Sequence, residues 1–284
     1  MDKIILAFEF SENSNSALNM SLTIAERTNS VLEIVWVDNT LDDLVEIEKN
    51  TIHEHFDEIL RSIVTQNKDK LPPNYLTYSI ITGNVCDAIA NKAAFEDVAL
   101  IVVGTHEKKQ NIETRWTNST ASKLVEKTNC PVLSVPSNYN FIDIKKIVVP
   151  IDFDFSTRQK APMVTWIAKA FNAYIHIVGL LTSGDEEHIE KIKEYSQQVG
   201  RFFMNNQIEY EITYKAANNI AKEILAFAET KNANLISIMT RQEISISNIL
   251  YGSYAHQIIL RSRIPILTIR PLNINSLDQE NLGT

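Results

Sequence analysis

The residues best placed to do chemistry stand at the ends of apolar runs. Glu9 follows KIILAF, Asp152 follows KIVVPI, and Gly104 follows VALIVV. After Gly104 comes a polar stretch, THEKKQNIETRWTNST, closing on Asn118, Ser119 and Thr120. A strand, a polar loop and a helix start, in that order, aim free backbone N–H groups at an anion, a phosphate above all. The second half of the chain repeats the ending with Gly252 and Ser253. This chemistry is binding rather than bond making. No Ser/His/Asp or Cys/His arrangement is suggested by context, and no Walker lysine motif is present. The reading is therefore not an enzyme, with no catalytic residues.

Other reactive side chains read as structural. His53 and His55 lie with Asp57 and Glu58 in TIHEHFDE. The segment looks helical, and side chains two apart on a helix diverge, so this is a solvated face and no metal site. Cys86 and Cys130 form neither a disulfide framework nor a CxxC pair. They read as packed thiols. His106 reads as a loop residue. Trp116, odd in a polar loop, would cover the crevice or dock on a neighbouring domain.

Composition narrows the class. The chain has 284 residues, with 44% hydrophobic and 22% charged, as in ordinary globular proteins of two domains. Its net charge of -8 opposes binding by phosphate neutralisation, so no nucleic acid partner is expected. MDKIILAFEF reads as a first strand rather than a leader. No run approaches the roughly 18 apolar residues of a membrane span. The expected location is cytoplasmic.

The elements that position these residues come twice. Lys3 lies over Lys146, so that KIILAFEFSENSNSALNM faces KIVVPIDFDFSTRQKAPM. At the other end NSTASKLVEKTNCPVLSVP faces GSYAHQIILRSRIPILTIR. The first copy is about nine residues longer, as a surface connection tolerates. Within it, strands are expected at 4–9, 31–37, 75–81, 98–104 and 131–135, and helices at 14–28, 41–66, 86–95 and 118–128. Short Ile/Val strands alternating with helices mean βαβ units and a parallel sheet. The expectation is α/β: two tandem flavodoxin-like (Rossmann-like) domains. Each has a five-stranded parallel sheet, order 3-2-1-4-5, with helices on both faces. The proposed bounds are 1–138 and 144–271, with a flexible tail at 272–284. Such sheets bind ligands beyond the strands' carboxyl ends, where the strand order reverses. That places Glu9, Ser11 and Gly104 at one crevice, and Asp152, Phe153 and Met239 at the other.

In combination these features resemble the universal stress protein family. The resemblance rests on EFS at 9–11, PIDF at 150–153, Gly83, VVGTH at 102–106, GSYA at 252–255, and the closing CPVLSV and IPILTI. It covers nearly the whole chain as two tandem copies. It implies an adenine-nucleotide crevice, possible in domain 1 at Glu9, Val37, Gly83, Gly104 and Ser119, with ATP and Mg²⁺ as the ligand. Domain 2 offers a degenerate version at Asp152, Gly252 and Ser253. Nucleotide-binding members look glycine-rich in this loop. Here Glu107 stands at the second glycine's place, the loop is one residue longer, and Asn118 replaces the third glycine. In domain 2 Met239 and Gln242 replace the first two glycines, and Asn218 faces Gly83. A residue without Cβ approaches a phosphate most closely, and Glu107 adds a like charge. The resemblance also implies an intramolecular pseudo-dimer joined by the last strand of each domain, Val132–Val135 against Ile266–Ile269, and a possible homodimer. The function expected is a non-catalytic, protein-interaction module of the stress response with degenerate nucleotide sites. The alternative is an adenine-nucleotide-binding switch using the domain 1 crevice. A flavoprotein-like domain is the remote third.

Overall fold

A computed structural model describes residues 2–10, 12–38, 46–105, 120–137, 139–141, 143–182, 184–240 and 254–272. The first half runs β1 (Lys3–Ala7), α1 (Glu12–Thr28), β2 (Val31–Asp38), α2 (Glu46–Asn67), β3 (Leu76–Thr82), α3 (Val85–Phe95), β4 (Leu100–Thr105), α4 (Thr120–Lys127) and β5 (Val132–Pro136). The second half repeats it as β6 (Lys146–Ile151), α5 (Ala161–Phe171), β7 (Tyr174–Leu181), α6 (Glu186–Asn205), β8 (Tyr210–Ala216), α7 (Ile220–Lys231), β9 (Leu235–Met239), α8 (Tyr254–Arg261) and β10 (Ile266–Ile269). The alternation predicted from hydrophobic period is thus present in both copies. Residues 273–284, most of the expected tail, lie outside the described residues.

All ten strands form one sheet, in the order β3-β2-β1-β4-β5-β10-β9-β6-β7-β8. Each half has the expected 3-2-1-4-5 order, parallel throughout. The join is antiparallel: Ile266 faces Ser134, Leu267 faces Leu133 and Thr268 faces Val132. The β-branched edge that each half would otherwise leave open is covered by the other. Two hydrophobic layers, one on each face of the sheet, both run across this join. Side chains reinforce it. Trp166 Nε1 donates to Asp2 Oδ2 (3.2 Å), and the Arg27 guanidinium lies 4.7 Å over the Phe171 ring. Arg270 Nη1 donates to the Glu126 carbonyl (2.9 Å).

Helix ends obey sequence chemistry. Asn84 caps α3 by accepting from Cys86 N (3.1 Å) and Asp87 N (3.3 Å). Just before it, Gly83 has φ 123°, a conformation that suits glycine. Its domain 2 counterpart, Asn218, makes the turn without a positive φ. The left-handed ends of α5 and α7 are taken by asparagine, Asn172 (φ 48°) and Asn232 (φ 51°).

At the amino ends of the strands the copies have diverged. Glu33 on β2 is buried between Lys3 and Lys92 (2.5 and 3.1 Å). Burial alone would raise its carboxyl, but hydrogen bonds from these lysines bring it below the ordinary carboxylate range. Its counterpart is His176 on β7, whose Nδ1 pairs with Glu211 (2.8 Å) while Nε2 is buried without a partner. Burial pushes the imidazole below its usual value; Lys231 and Lys146 add to this and Glu211 opposes it. The folded state therefore holds His176 neutral while the unfolded chain takes up a proton near pH 6.5. Stability is expected to fall as pH drops through 6.5 toward the folded value. His176→Gln should lose that part of the decline, measured as urea midpoints between pH 7 and pH 5. Equal pH slopes for the two proteins would refute it.

Candidate functional site

A cavity of about 290 Å³ opens at the carboxyl ends of β1 and β2. Glu9, Phe8, Val37, Trp36, Val85 and Thr120 line it, so its walls come from two strand ends and the starts of α3 and α4. This is the crevice beside the point where the strand order reverses. Of the residues expected there, Glu9 and Val37 share the cavity. Gly83 lies close by in the turn ahead of α3, its N–H donating to the Asp38 carbonyl (3.1 Å). Gly104 sits in β4 opposite Val135 rather than in the cavity wall. Ser11, Ser119, His106, Glu107, Asn118 and Trp116 lie outside the described residues, and so do Gln242, Gly252 and Ser253.

The local build differs from the expectation at one point. β1 stops at Ala7 rather than running to Glu9. After Phe8, whose N–H still reaches the Val35 carbonyl (2.9 Å), the Glu9 N–H donates to Ser14 Oγ (3.3 Å) instead of to a neighbouring strand. Phe10 then takes φ 56°, unusual for a bulky residue. Its ring is held by Phe8 (5.1 Å), Trp36 (5.7 Å) and Phe56 (4.7 Å). This aromatic group packs behind the cavity and fixes the turn that carries Glu9. Sequence reasoning passed over Phe8, Trp36 and Val85, whereas Thr120 stood in the helix start it singled out at 118–120. The signal for Trp36 was available, since it immediately precedes Val37.

Domain 2 holds its acid in the same way: the Asp152 N–H donates to Thr157 Oγ1 (3.3 Å). Asp152 Oδ1 accepts from Asp154 N (3.0 Å), and Asp154 in turn caps a short 3-10 turn over Phe155–Arg158. Two long side chains are buried at the same end of this domain. Met239 is 3% exposed at the end of β9, as its position suggested, and Tyr254 Oη donates to its carbonyl (3.3 Å). Lys160, missed in the sequence, is buried with its Nζ donating to Thr157 Oγ1 (3.2 Å). Burial lowers its ammonium to about 8, against the pull of Asp152. The repeat register offered the clue, for Lys160 falls on Ala17, a buried alanine.

The remaining reactive groups sit where packing put them. Cys130 Sγ faces the Val98 carbonyl (3.0 Å) and burial pushes its thiol up to about 12. Burial also raises Cys86. Neither has the depressed thiol of a redox sensor. His53 and His55 are exposed on α2. Among the described residues no three His, Cys, Asp or Glu gather as metal ligands, and no helix is long and apolar enough to cross a membrane.

Comparison with known proteins agrees with this architecture. The model of the universal stress protein family matches residues 1–136 and again 143–270. A universal stress protein of Methanocaldococcus jannaschii is 31% identical over 139 residues, which cover 44% of this chain and 82% of that protein. A solved universal stress protein from Archaeoglobus fulgidus superposes with TM-score 0.74 at 17% identity, covering 95% of this chain and 96% of its own. A putative universal stress protein from Pseudomonas aeruginosa gives TM-score 0.69 at 17% identity, covering 100% and 98%. At that identity the superpositions speak for the fold, and the two family matches speak for descent. The chain belongs to the universal stress protein family, as two copies of its domain in tandem.

Proposed function

We propose that this protein is a non-catalytic stress-response module that works through protein contacts, with its two nucleotide sites decayed to different degrees. The observation that carries the reading is the burial of Met239 and Lys160 at the end of domain 2 that carries Asp152, where a methionine and a lysine stand in place of Gly104 and Ala17. Glu107 and Asn118, in place of glycines, weigh in the same direction in domain 1. The units taken to act are residues 1–138 and 144–271, in a cytoplasmic chain that forms its own pseudo-dimer and is able to pair with a second copy.

One observation favours a second reading, an adenine-nucleotide switch in domain 1. The cavity of about 290 Å³ pairs a carboxylate, Glu9, with the apolar walls of Val37 and Val85. That combination suits a flat base, with Glu9 to accept from an exocyclic amine and Thr120 at the start of α4 on the side where phosphates would lie. Its size is at the small end of ligand pockets, roughly 300 Å³. Bound ATP would bring Mg²⁺ and a triphosphate; this chain's residues would hold the base and exclude water from it.

Isothermal titration with Mg·ATP and with AMP separates the two. The primary reading expects no binding at micromolar concentrations. Micromolar binding at one site per chain, abolished by Val37→Arg, would replace it with the switch. Two sites per chain would overturn both accounts, since domain 2 is then open.

A further inference from the structure

The shared sheet ends in two open edges, β3 in domain 1 and β8 in domain 2. Among the described residues β2 is the one strand that pairs with β3, and α2 and α3 pack beside it. The ladder shows which backbone groups are left. At its two ends the Leu32 N–H donates to the Tyr75 carbonyl (2.7 Å) and the Gly83 N–H to the Asp38 carbonyl (3.1 Å). The odd-numbered residues of β3 therefore bond to β2. Leu76, Tyr78, Ile80 and Thr82 turn their N–H and C=O groups outward.

Such a row is a template for another strand, and native edges are commonly guarded by charge, proline or a bulge. The two edges differ here. β8 reads YEITYKA, with Glu211 and Lys215 in it, and Glu211 is held by His176 and Lys231. β3 reads LTYSIIT, 7 residues with no charge, no proline and no positive φ.

The strand is also complementary to itself. Turned about a twofold axis through Ser79, perpendicular to the sheet, β3 meets a second β3 antiparallel. Tyr78 then faces Ile80 of the second copy, and Leu76 faces Thr82. All the outward residues fall in hydrogen-bonded pairs, about eight bonds in all. Any other register leaves some of them unmatched. Aromatic and β-branched residues are favourable partners across strands. The rotation keeps each face of the sheet on its own side, so the hydrophobic layer that includes Leu76, Tyr78 and Ile80 would run on into the second copy. The same side carries α2, where Asp57 accepts from Tyr78 Oη (2.9 Å) and pairs with Arg61 (2.7 Å), whose side chain is 69% exposed. Asp57 and Arg61 lie one helical turn apart. An antiparallel α2 from the second copy would present them in reverse order, base toward acid.

We infer that this edge is a dimer surface, on which β3 of a second copy pairs antiparallel about Ser79 and doubles the ten-stranded sheet. The chain already uses this kind of contact between its own halves, at β5 and β10. The inference deepens the proposed function by placing its second copy. Its test does not read nucleotide binding, so either can fail alone.

Ser79→Cys puts a thiol on the axis. Residues opposed in a non-hydrogen-bonded pair have Cα atoms about 4.5 Å apart, within reach of a disulfide. Under mild oxidation this variant should cross-link to its own copy. The natural chain and Thr77→Cys, whose thiol would face Ile81, should not. Thr82→Pro removes an outward N–H from an exposed residue and leaves the ladder to β2 intact. Sedimentation at micromolar concentration is expected to show a dimer for the natural chain, and association weaker by about tenfold or more for Thr82→Pro. A natural chain that stays monomeric would overturn the inference. So would a dimer that a folded Thr82→Pro leaves as tight, or one in which Ser79→Cys gives no cross-link. If the proline variant does not fold, the two cysteine variants decide alone.

Discussion

Shortening either Leu133 or Leu267 to alanine is expected to cost about 2–5 kcal/mol, and the two losses should not add. The two leucines face each other across the antiparallel join, and both are fully buried. Opposed residues in such a pair have Cβ atoms about 5 Å apart. Once one is truncated, the other has already lost its neighbour. The double variant should therefore lose less than the sum, by about 0.5–3 kcal/mol. Because both hydrophobic layers cross the join, each variant should still unfold in one urea transition. Single losses under about 1 kcal/mol, or strict additivity, would mean that the halves do not share this seam in solution.

The second large effect is a gain. Lys160→Met is expected to stabilise the protein at pH 7 by about 1–4 kcal/mol. The ammonium has three donors, and Thr157 Oγ1 takes one of them (3.2 Å). Its fall from 10.5 to about 8 corresponds to roughly 3 kcal/mol against the charged form. Methionine has a similar reach without the charge, and Asp152 keeps its hydrogen bond from Asp154 N. The same burial sets the sign of the pH dependence. The folded lysine releases its proton near pH 8, while the unfolded chain keeps it to about 10.5. Between those values the unfolded state binds more protons, so the natural protein gains stability as pH rises. The variant should lack that gain. Urea midpoints at pH 7 and pH 10 measure both effects. A methionine variant that is weaker at pH 7 would show that Asp152 repays the burial of the ammonium.

Much of the fold was legible because it is local. Ile/Val runs and helical period place the strands and helices in both copies, and the family resemblance implied that the two β-branched last strands should meet. The crevice was legible in its strand ends, Glu9 and Val37. The rest depended on distance through space. That β1 stops at Ala7 comes from a Ser14 hydroxyl five residues past Glu9 and from the packing of Phe56 against Phe10. That Lys160 is buried comes from how α5 lies on the sheet, which no local pattern states. The replacement of loop glycines by Glu107 and Asn118 read as a sign of a worn cradle, yet Asn29, Asn172 and Asn232 take left-handed conformations with φ 48–52°. Asparagine tolerates that region better than most residues. In this chain it does at helix ends what glycine does elsewhere, which makes Asn118 a gentler replacement than Glu107.

The antiparallel join of β5 to β10 has a consequence for wiring. The parallel strands of the first half finish along one long edge of the shared sheet, and those of the second half finish along the other. The Glu9 cavity and the Asp152 turn therefore belong to opposite margins, separated by strands of 5 to 8 residues, or roughly 17–26 Å. No one small molecule can bridge them. Contacts at the first margin leave the second untouched, so the residues of the two margins have been able to diverge independently, as Glu33 and His176 have at the opposite strand ends.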